Sequence, residues 1–358
     1  MYWHGGSAVL LRNHWYVAAW SEDVGRTPLG RVLLNEYVVL FRGLDGTVVA
    51  LENRCAHRNL PLSEGRLIGD EVECSYHGLV FGRDGVCTHV PGQEDVPGWA
   101  RVKSYPVAER NRWVFVWMGD PDKADPGLVP GYHAKLADPD WSAVTGQARV
   151  RGGYRLVLDN LLDLSHLTYV HSSTTGNRAL AEEATLIVED GDDFVRVTRW
   201  MEGIAPAPAF VQYAGDDGPI DRWQVSKYIP PSYIDICNGS AAAGEGLPQE
   251  ERPFSQGRWG FVVYHALTPE TETATHQFWA LAIHRSMVPT DKEALFTEQM
   301  QGVPAEDLAV YEAQQRAIDL DPEMKGEDVN PRGTIPADDA LLRMRRMIRR
   351  LHGEEQRA

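Results

Sequence analysis

Two cysteine–histidine pairs constrain this chain more than any other feature: Cys55-Ala-His57 and, after a gap of 16 residues, Cys74-Ser-Tyr-His77. Each pair follows a strand-like segment, so four soft or borderline ligands converge from two loops. A tetrahedral Cys2His2 zinc site uses the same side chains. The order of ligands argues against zinc, because a cysteine then a histidine in each loop lets both thiolates bind one iron and both imidazoles the other in a [2Fe–2S] centre. With only four cysteines in 358 residues, metal ligation in a reducing compartment is favoured over a disulfide framework. Cys87 and Cys237 are expected to be small core residues.

Around this motif the first third of the chain reads as short strands and turns. Tyr37–Phe41 and Thr47–Leu51 flank Asp45-Gly46 as a hairpin, a second hairpin is expected at Asp84-Gly85, and Arg112–Trp117 is one more strand. The Pro-, Gly- and Asp-dense stretch Gly119–Gly127 suits a linker, which predicts two domains, 1–120 and 121–358. Beyond it the pattern predicts a helix over Arg155–His171 and strands over Phe194–Trp200, Trp223–Cys237, Trp259–Leu267 and Thr275–His284. Helices follow over Asp291–Gln301, Pro304–Ile318 (Pro304 in its first turn) and Asp338–Leu351, giving an α+β class. No run approaches the roughly 18 to 20 apolar residues of a membrane span, and the N-terminus lacks a signal-peptide layout, so a soluble, cytoplasmic protein is expected. The 35 Lys and Arg against 51 Asp and Glu, a net charge of −16, would repel nucleic acid and anionic membranes.

A second constellation lies in 159–171, an apolar helical segment punctuated by Asn160, Asp163, His166 and His171. Asn160, Asp163 and His166 drift round one face, but His166 and His171 stand about 140° apart on a regular α-helix. If both bind one ion, the helix must end or take a π-type turn between them.

At these residues the sequence resembles the Rieske non-haem iron oxygenases. The resemblance rests on Cys55–Arg58 with Pro61-Leu62, on Cys74–Leu79 with Phe81, and on the pattern Asp-Asn-Leu-x-Asp-x-x-His-x-x-x-x-His over 159–171. Ala56 departs from the proline of many relatives, which touches loop stiffness and not ligation. The resemblance covers essentially the whole chain and is nearest to vanillate O-demethylase oxygenases. Further passages carrying it are Asn13–Ala18, Tyr76–Leu79, Pro91–Gln93, Lys103–Tyr105, Asp221–Gln224 and Leu267–Thr271.

That resemblance implies an all-β Rieske [2Fe–2S] domain followed by a catalytic domain of helix-grip type, an antiparallel sheet flanked by helices. It implies that Cys55, His57, Cys74 and His77 hold the cluster, and that His166, His171 and a carboxylate of the later helix hold a mononuclear Fe(II) with positions open to O2. Asp307 is the chosen carboxylate. Glu306, about 100° away on the helix, is the competitor, and Glu312 is read as solvated or salt-bridged. In the family the residue matching Asp163 links a cluster histidine of a neighbouring subunit to an iron histidine in a head-to-tail homotrimer, and Asn160 lies near the iron. As an isolated residue, Asp163 would be a salt-bridged helix carboxylate.

By the same resemblance the substrate is an aromatic acid, with Gln224 and His265 facing it, and oxidation of a methoxy carbon releases formaldehyde. Vanillate is the first expectation; syringate, a dicamba-like acid or a methyl aryl sulfonate are alternatives, as is an electron-transfer protein without oxygenase activity. The chain has no nucleotide or flavin motif, so a separate NAD(P)H-dependent reductase must deliver electrons. The basic run Arg343–Arg350 is read as a solvated helix face, with reductase docking as the alternative.

Overall fold

The computed structural model describes residues 9–215, 217–246, 258–288, 292–321 and 333–357. It divides into a smaller compact unit, Leu10–Gly131 with Thr268–Thr271, and a larger one made of Tyr132–Leu267 and Glu272–Ala358 with the N-terminal residues.

The smaller unit is built of short strands: β1 (Trp15–Trp20), β2 (Leu29–Leu33), β3 (Glu36–Arg42), β4 (Val48–Glu52), β5 (Arg66–Ile68), β6 (Glu71–Glu73), β7 (Val80–Phe81), β8 (Cys87–His89), β9 (Ser104–Tyr105), β10 (Val107–Arg110) and β11 (Trp113–Trp117). They form sheets in the orders β1-β11-β10, β2-β3-β4-β9 and β5-β6-β7-β8. The two expected hairpins are β3–β4 and β7–β8, with Gly46 and Gly85 at positive φ in their turns. Alternating apolar residues pack two cores, one around Tyr16, Val38, Leu40 and Val116, the other joining Val39, Phe41, Leu51 and Phe81 to Cys55, Cys74 and Cys87. The segment Thr268–Thr271 is stitched into this unit. The Thr268 hydroxyl donates to the Val17 carbonyl at 2.6 Å, and the amides of Leu34 and Asn35 donate to the carbonyls of Pro269 and Glu270. Those bonds hold the β2–β3 turn, in which Leu34 and Asn35 both take positive φ.

The larger unit centres on a seven-stranded antiparallel sheet. Its strands are β12 (Trp141–Val150), β13 (Thr185–Asp190), β14 (Val195–Ile204), β15 (Ile220–Ile229), β16 (Tyr233–Ala242), β17 (Arg258–Thr271) and β18 (Ala274–His284), in the order β12-β18-β17-β16-β15-β14-β13. The helices are α1 (Tyr154–Leu162), α2 (Leu167–Val170), α3 (Ala179–Glu182), α4 (Glu293–Leu320) and α5 (Asp339–Glu355). Among the described residues no helix is long and apolar enough to cross a membrane.

Several expected elements differ. The run Trp223–Cys237 is a hairpin, β15–β16, because Pro230-Pro231 interrupts the ladder. β12 and β13 were not anticipated; β13 is mostly exposed and lacks an apolar face strong enough to announce itself. The two helices expected around Pro304 are one helix, α4, with Pro304 inside it; Asp291 lies outside the described residues. Proline removes only the bond to the Met300 carbonyl, and burial of Phe296, Met300 and Tyr311 along the same helix offsets a cost of about 3 kcal/mol. The basic run lies in α5, and three of its arginines form ion pairs within the unit: Arg343 with Asp190 and Asp339, Arg345 with Asp159, and Arg350 with Glu354. At Arg343, Arg345 and Arg350 the expected solvated face is therefore an ion-paired one. Cys87 is buried as expected, whereas Cys237 is only partly so.

Candidate metal centres and substrate cleft

The two loops carrying the cysteine–histidine pairs share one backbone design. The Cys55 amide donates to the Leu60 carbonyl at 2.9 Å and the Asn59 amide to the Cys55 carbonyl at 2.9 Å. In the second loop the Cys74 amide donates to the Leu79 carbonyl at 2.8 Å and the Gly78 amide to the Cys74 carbonyl at 3.0 Å. Asn59 and Gly78, four residues beyond each cysteine, both take left-handed backbone angles, φ 61° and 76°, which lets each loop close in six residues. Both cysteines are buried, whereas His57 and His77 are exposed with ring centroids 4.5 Å apart. Burial, with the Cys74 thiol alongside, pushes the Cys55 thiol up to about 11. Two adjacent buried thiolates need a cation, and the donor set of two sulfurs inside and two imidazoles at the rim fits a [2Fe–2S] cluster with unlike irons.

In the larger unit the expected helix over Arg155–His171 is broken. α1 stops at Leu162, and Asp163 (φ −107°, ψ 90°) caps a 3-10 turn over Leu164–His166 by accepting from the Ser165 amide at 3.0 Å. The single turn α2 follows, and His171 terminates it. The chain thus abandons regular helix on both sides of the pair, and the rings of His166 and His171 come to 5.4 Å between centroids. No π-turn lies between them; among the described residues of this unit the π-turn is at Phe210–Ala214.

Asp307 of α4 completes the group. Its Oδ1 lies 3.0 Å from His171 Nε2 and 3.5 Å from His166 Nε2, and one donor atom from each residue falls within 4.8 Å of the others. Three ligands about 2.1 Å from one ion and at right angles to each other would stand about 3 Å apart, so the set fits a facial two-histidine, one-carboxylate iron site. His171 and Asp307 are 2% and 7% exposed. Burial lowers the pKa of His166 despite Asp307; for His171 burial also pulls down, but hydrogen bonds and charge from Asp307 and Glu306 outweigh it and raise the value. Of the two adjacent carboxylates Asp307 faces the ligand group, whereas Glu306 reaches the other ring nitrogen of His171, Nδ1, at 2.6 Å.

Other anticipated residues have definite places. Asp163 meets His166 through its main-chain carbonyl, 2.7 Å from Nδ1, while its carboxylate is held by Arg199, itself 3% exposed. Asn160 accepts from the Tyr311 hydroxyl at 3.1 Å, one helical turn beyond Asp307 on α4. Glu312 accepts from the Arg151 amide at 3.4 Å.

A cleft opens onto the ligand group. Helix α4 lines it with Met300, Val303, Pro304 and Asp307, a single helical stripe. The sheet lines it with alternate residues of four adjacent strands: Gln224, then Ile236 and Asn238, then Phe261, Val263 and His265, then Gln277, Trp279 and Leu281. Gln224 and His265 therefore both face the cleft. Gln224 Nε2 donates to Asn238 Oδ1 at 2.8 Å, and its Oε1 is buried with no hydrogen-bond partner among the described residues. Gln277 Nε2 lies 3.4 Å from His265 Nδ1. With that nitrogen accepting, Nε2 carries the hydrogen. Burial lowers His265 to about 4, so the ring is neutral near pH 7. Asn238 and Gln277 were not anticipated; a lone amide in a buried apolar strand was the available signal.

Two family models match the chain. The Rieske [2Fe-2S] domain matches residues 14–106, and the vanillate O-demethylase oxygenase C-terminal domain matches residues 150–354. The chain is 38% identical to the toluene-4-sulfonate monooxygenase system iron–sulfur subunit of Comamonas testosteroni, over 96% of this chain and 97% of that one. It is 37% identical to a vanillate O-demethylase oxygenase subunit of a Pseudomonas species, over 97% and 96%. The crystal structure of dicamba monooxygenase bound to 3,6-dichlorosalicylic acid superimposes with a TM-score of 0.87 at 31% identity, covering 98% of this chain and 99% of that one.

Proposed function

The chain belongs to the Rieske non-haem iron oxygenases of the vanillate O-demethylase type, and from that premise we propose that it demethylates a methoxybenzoate, with vanillate as the first substrate. The observation that carries this reading is the cleft, whose apolar walls accept an aromatic ring while Gln224, Asn238, His265 and Gln277 supply neutral polar groups and His166, His171 and Asp307 close on one point.

In this reading Cys55, His57, Cys74 and His77 hold the cluster, and His166, His171 and Asp307 hold the iron. When bound, the two groups supply single electrons and activate dioxygen. His265 donates from Nε2 to a substrate oxygen, Gln224 offers its unpartnered carbonyl to a hydroxyl, and the apolar walls exclude water. One C–H bond of the methoxy group becomes C–OH. The hemiacetal then breaks its C–O bond to give the phenol and formaldehyde, and the second oxygen atom leaves as water with two electrons from NAD(P)H through a separate reductase. The exposed rings of His57 and His77 suit electron delivery between subunits, so we read the assembly as a trimer in which Asp163 of one chain meets a cluster histidine of the next.

A methyl-bearing aromatic sulfonate is the second reading, because the toluene-4-sulfonate relative is as similar as the vanillate one. The test is a panel of vanillate, syringate, dicamba and toluene-4-sulfonate with reductase, NADH and O2. Vanillate should yield protocatechuate with one formaldehyde. Oxidation of the sulfonate methyl without formaldehyde from any ether would move the assignment, and no substrate-dependent O2 uptake with any of the four would reject it.

A further inference from the structure

We propose that Glu306 is a positioning residue of the iron site, holding the far nitrogen of His171 so that this ring meets the metal through Nε2 as a stronger donor than His166. The inference rests on the reading of His171 as an iron ligand.

Glu306 and Asp307 are neighbours on α4, so their side chains leave the helix about 100° apart. Both nevertheless touch the same imidazole, from opposite edges: Asp307 Oδ1 stands 3.0 Å from Nε2, and Glu306 Oε2 stands 2.6 Å from Nδ1. The extra methylene of glutamate supplies the reach round the ring. With Nδ1–H donated to Glu306, only Nε2 is left as a lone-pair donor, and the ring cannot rotate without losing a charge-assisted hydrogen bond.

His166 is treated differently. Its Nδ1 lies 2.7 Å from the main-chain carbonyl of Asp163, a neutral acceptor. A carboxylate draws the N–H proton more strongly than a peptide carbonyl and leaves the opposite nitrogen more electron-rich, so the two histidines are unequal ligands. The Glu306 side chain is 40% exposed, while His171 is 2% exposed. Replacing Glu306 therefore opens no cavity in the core and tests the contact alone.

The experiment uses cluster-loaded protein stripped of mononuclear iron, titrated with Fe(II), with Co(II) ligand-field bands as a second readout. Glu306→Ala should bind Fe(II) about 10- to 100-fold more weakly, with shifted Co(II) bands and unchanged cluster absorption. Glu306→Gln keeps an acceptor but not the charge and should fall between. Glu312→Gln, on the same helix, should behave as wild type, and His171→Ala should lose the ion. Wild-type affinity and unshifted bands in Glu306→Ala, with loss in His171→Ala, would overturn the role of Glu306 while leaving the ligand assignment standing. Wild-type affinity in Glu306→Gln alone would overturn the difference in donor strength. Unaltered binding in His171→Ala would reject the ligand assignment and this inference with it.

Discussion

The two histidine pairs of this protein are built on opposite plans. His57 and His77 stand exposed on two loops that close through their own backbone hydrogen bonds, with 19 residues between them. His166 and His171 sit in the broken helix of the larger unit and depend on Asp307, 136 residues beyond His171. The first plan leaves both imidazole rings open to solvent. The second shelters its ligands beneath a sheet face and fixes each ring from behind by a separate acceptor, Asp163 for His166 and Glu306 for His171. Local turns are enough for a cluster that relays charge, whereas a site that activates dioxygen beside a substrate needs the surrounding tertiary structure to keep water out.

The sharpest way to break this comparison is to remove one ligand from each plan. Cys55→Ala should abolish the cluster's visible absorption and all turnover while leaving His166, His171 and Asp307 able to bind Fe(II). His171→Ala should do the reverse, with full cluster colour and acid-labile sulfide but no activity. Loss of both metal centres from either variant would mean that the two sites are not built independently.

A smaller effect comes from the pH dependence of the buried site. His265 has a folded pKa of about 4, against about 6.5 when unfolded. Between those values the unfolded chain binds more protons, so His265 makes stability rise with pH from 4 to 6.5 and contributes nothing further above that window. The full span is about 3 kcal/mol, and His265→Gln should flatten it in urea unfolding measured across that range. An unchanged slope would show that the ring is not held neutral by burial.

The smallest expected effect sharpens the contrast between a sheltered ion pair and an exposed one. Arg199→Met leaves the half-buried Asp163 carboxylate without its cation and should cost about 2 kcal/mol. Arg83→Met removes the exposed pair with Asp45 in the smaller unit and should leave the urea midpoint unchanged. Equal midpoints for the two variants would show that burial does not distinguish them.

Much of this protein was legible before any fold was known, and the reason is distance along the chain. The two cysteine–histidine loops, the two hairpins and the turns at Gly46 and Gly85 are local, because each is set by residues a few positions apart whose backbone preferences act directly. The spacing of His166 and His171 likewise demanded a departure from regular helix, since a 100° step cannot aim both rings at one point. That the break falls at Asp163 was not readable, because it depends on the Ser165 amide and on Arg199 arriving from β14.

The single helix α4 escaped the sequence reading for a related reason. Proline at 304 is a strong local stop, and only burial along the rest of the helix overrides it. The choice of Asp307 over Glu306 needed a resemblance to find, and their division of labour on one ring needed coordinates, because adjacency on a helix does not say which neighbour each side chain will meet. The sequence by itself determined which side chains could bind metal and where the chain must turn. Only the tertiary structure decided which carboxylate faces which nitrogen and which strand residues share the cleft, since those outcomes are set by packing between segments far apart along the chain.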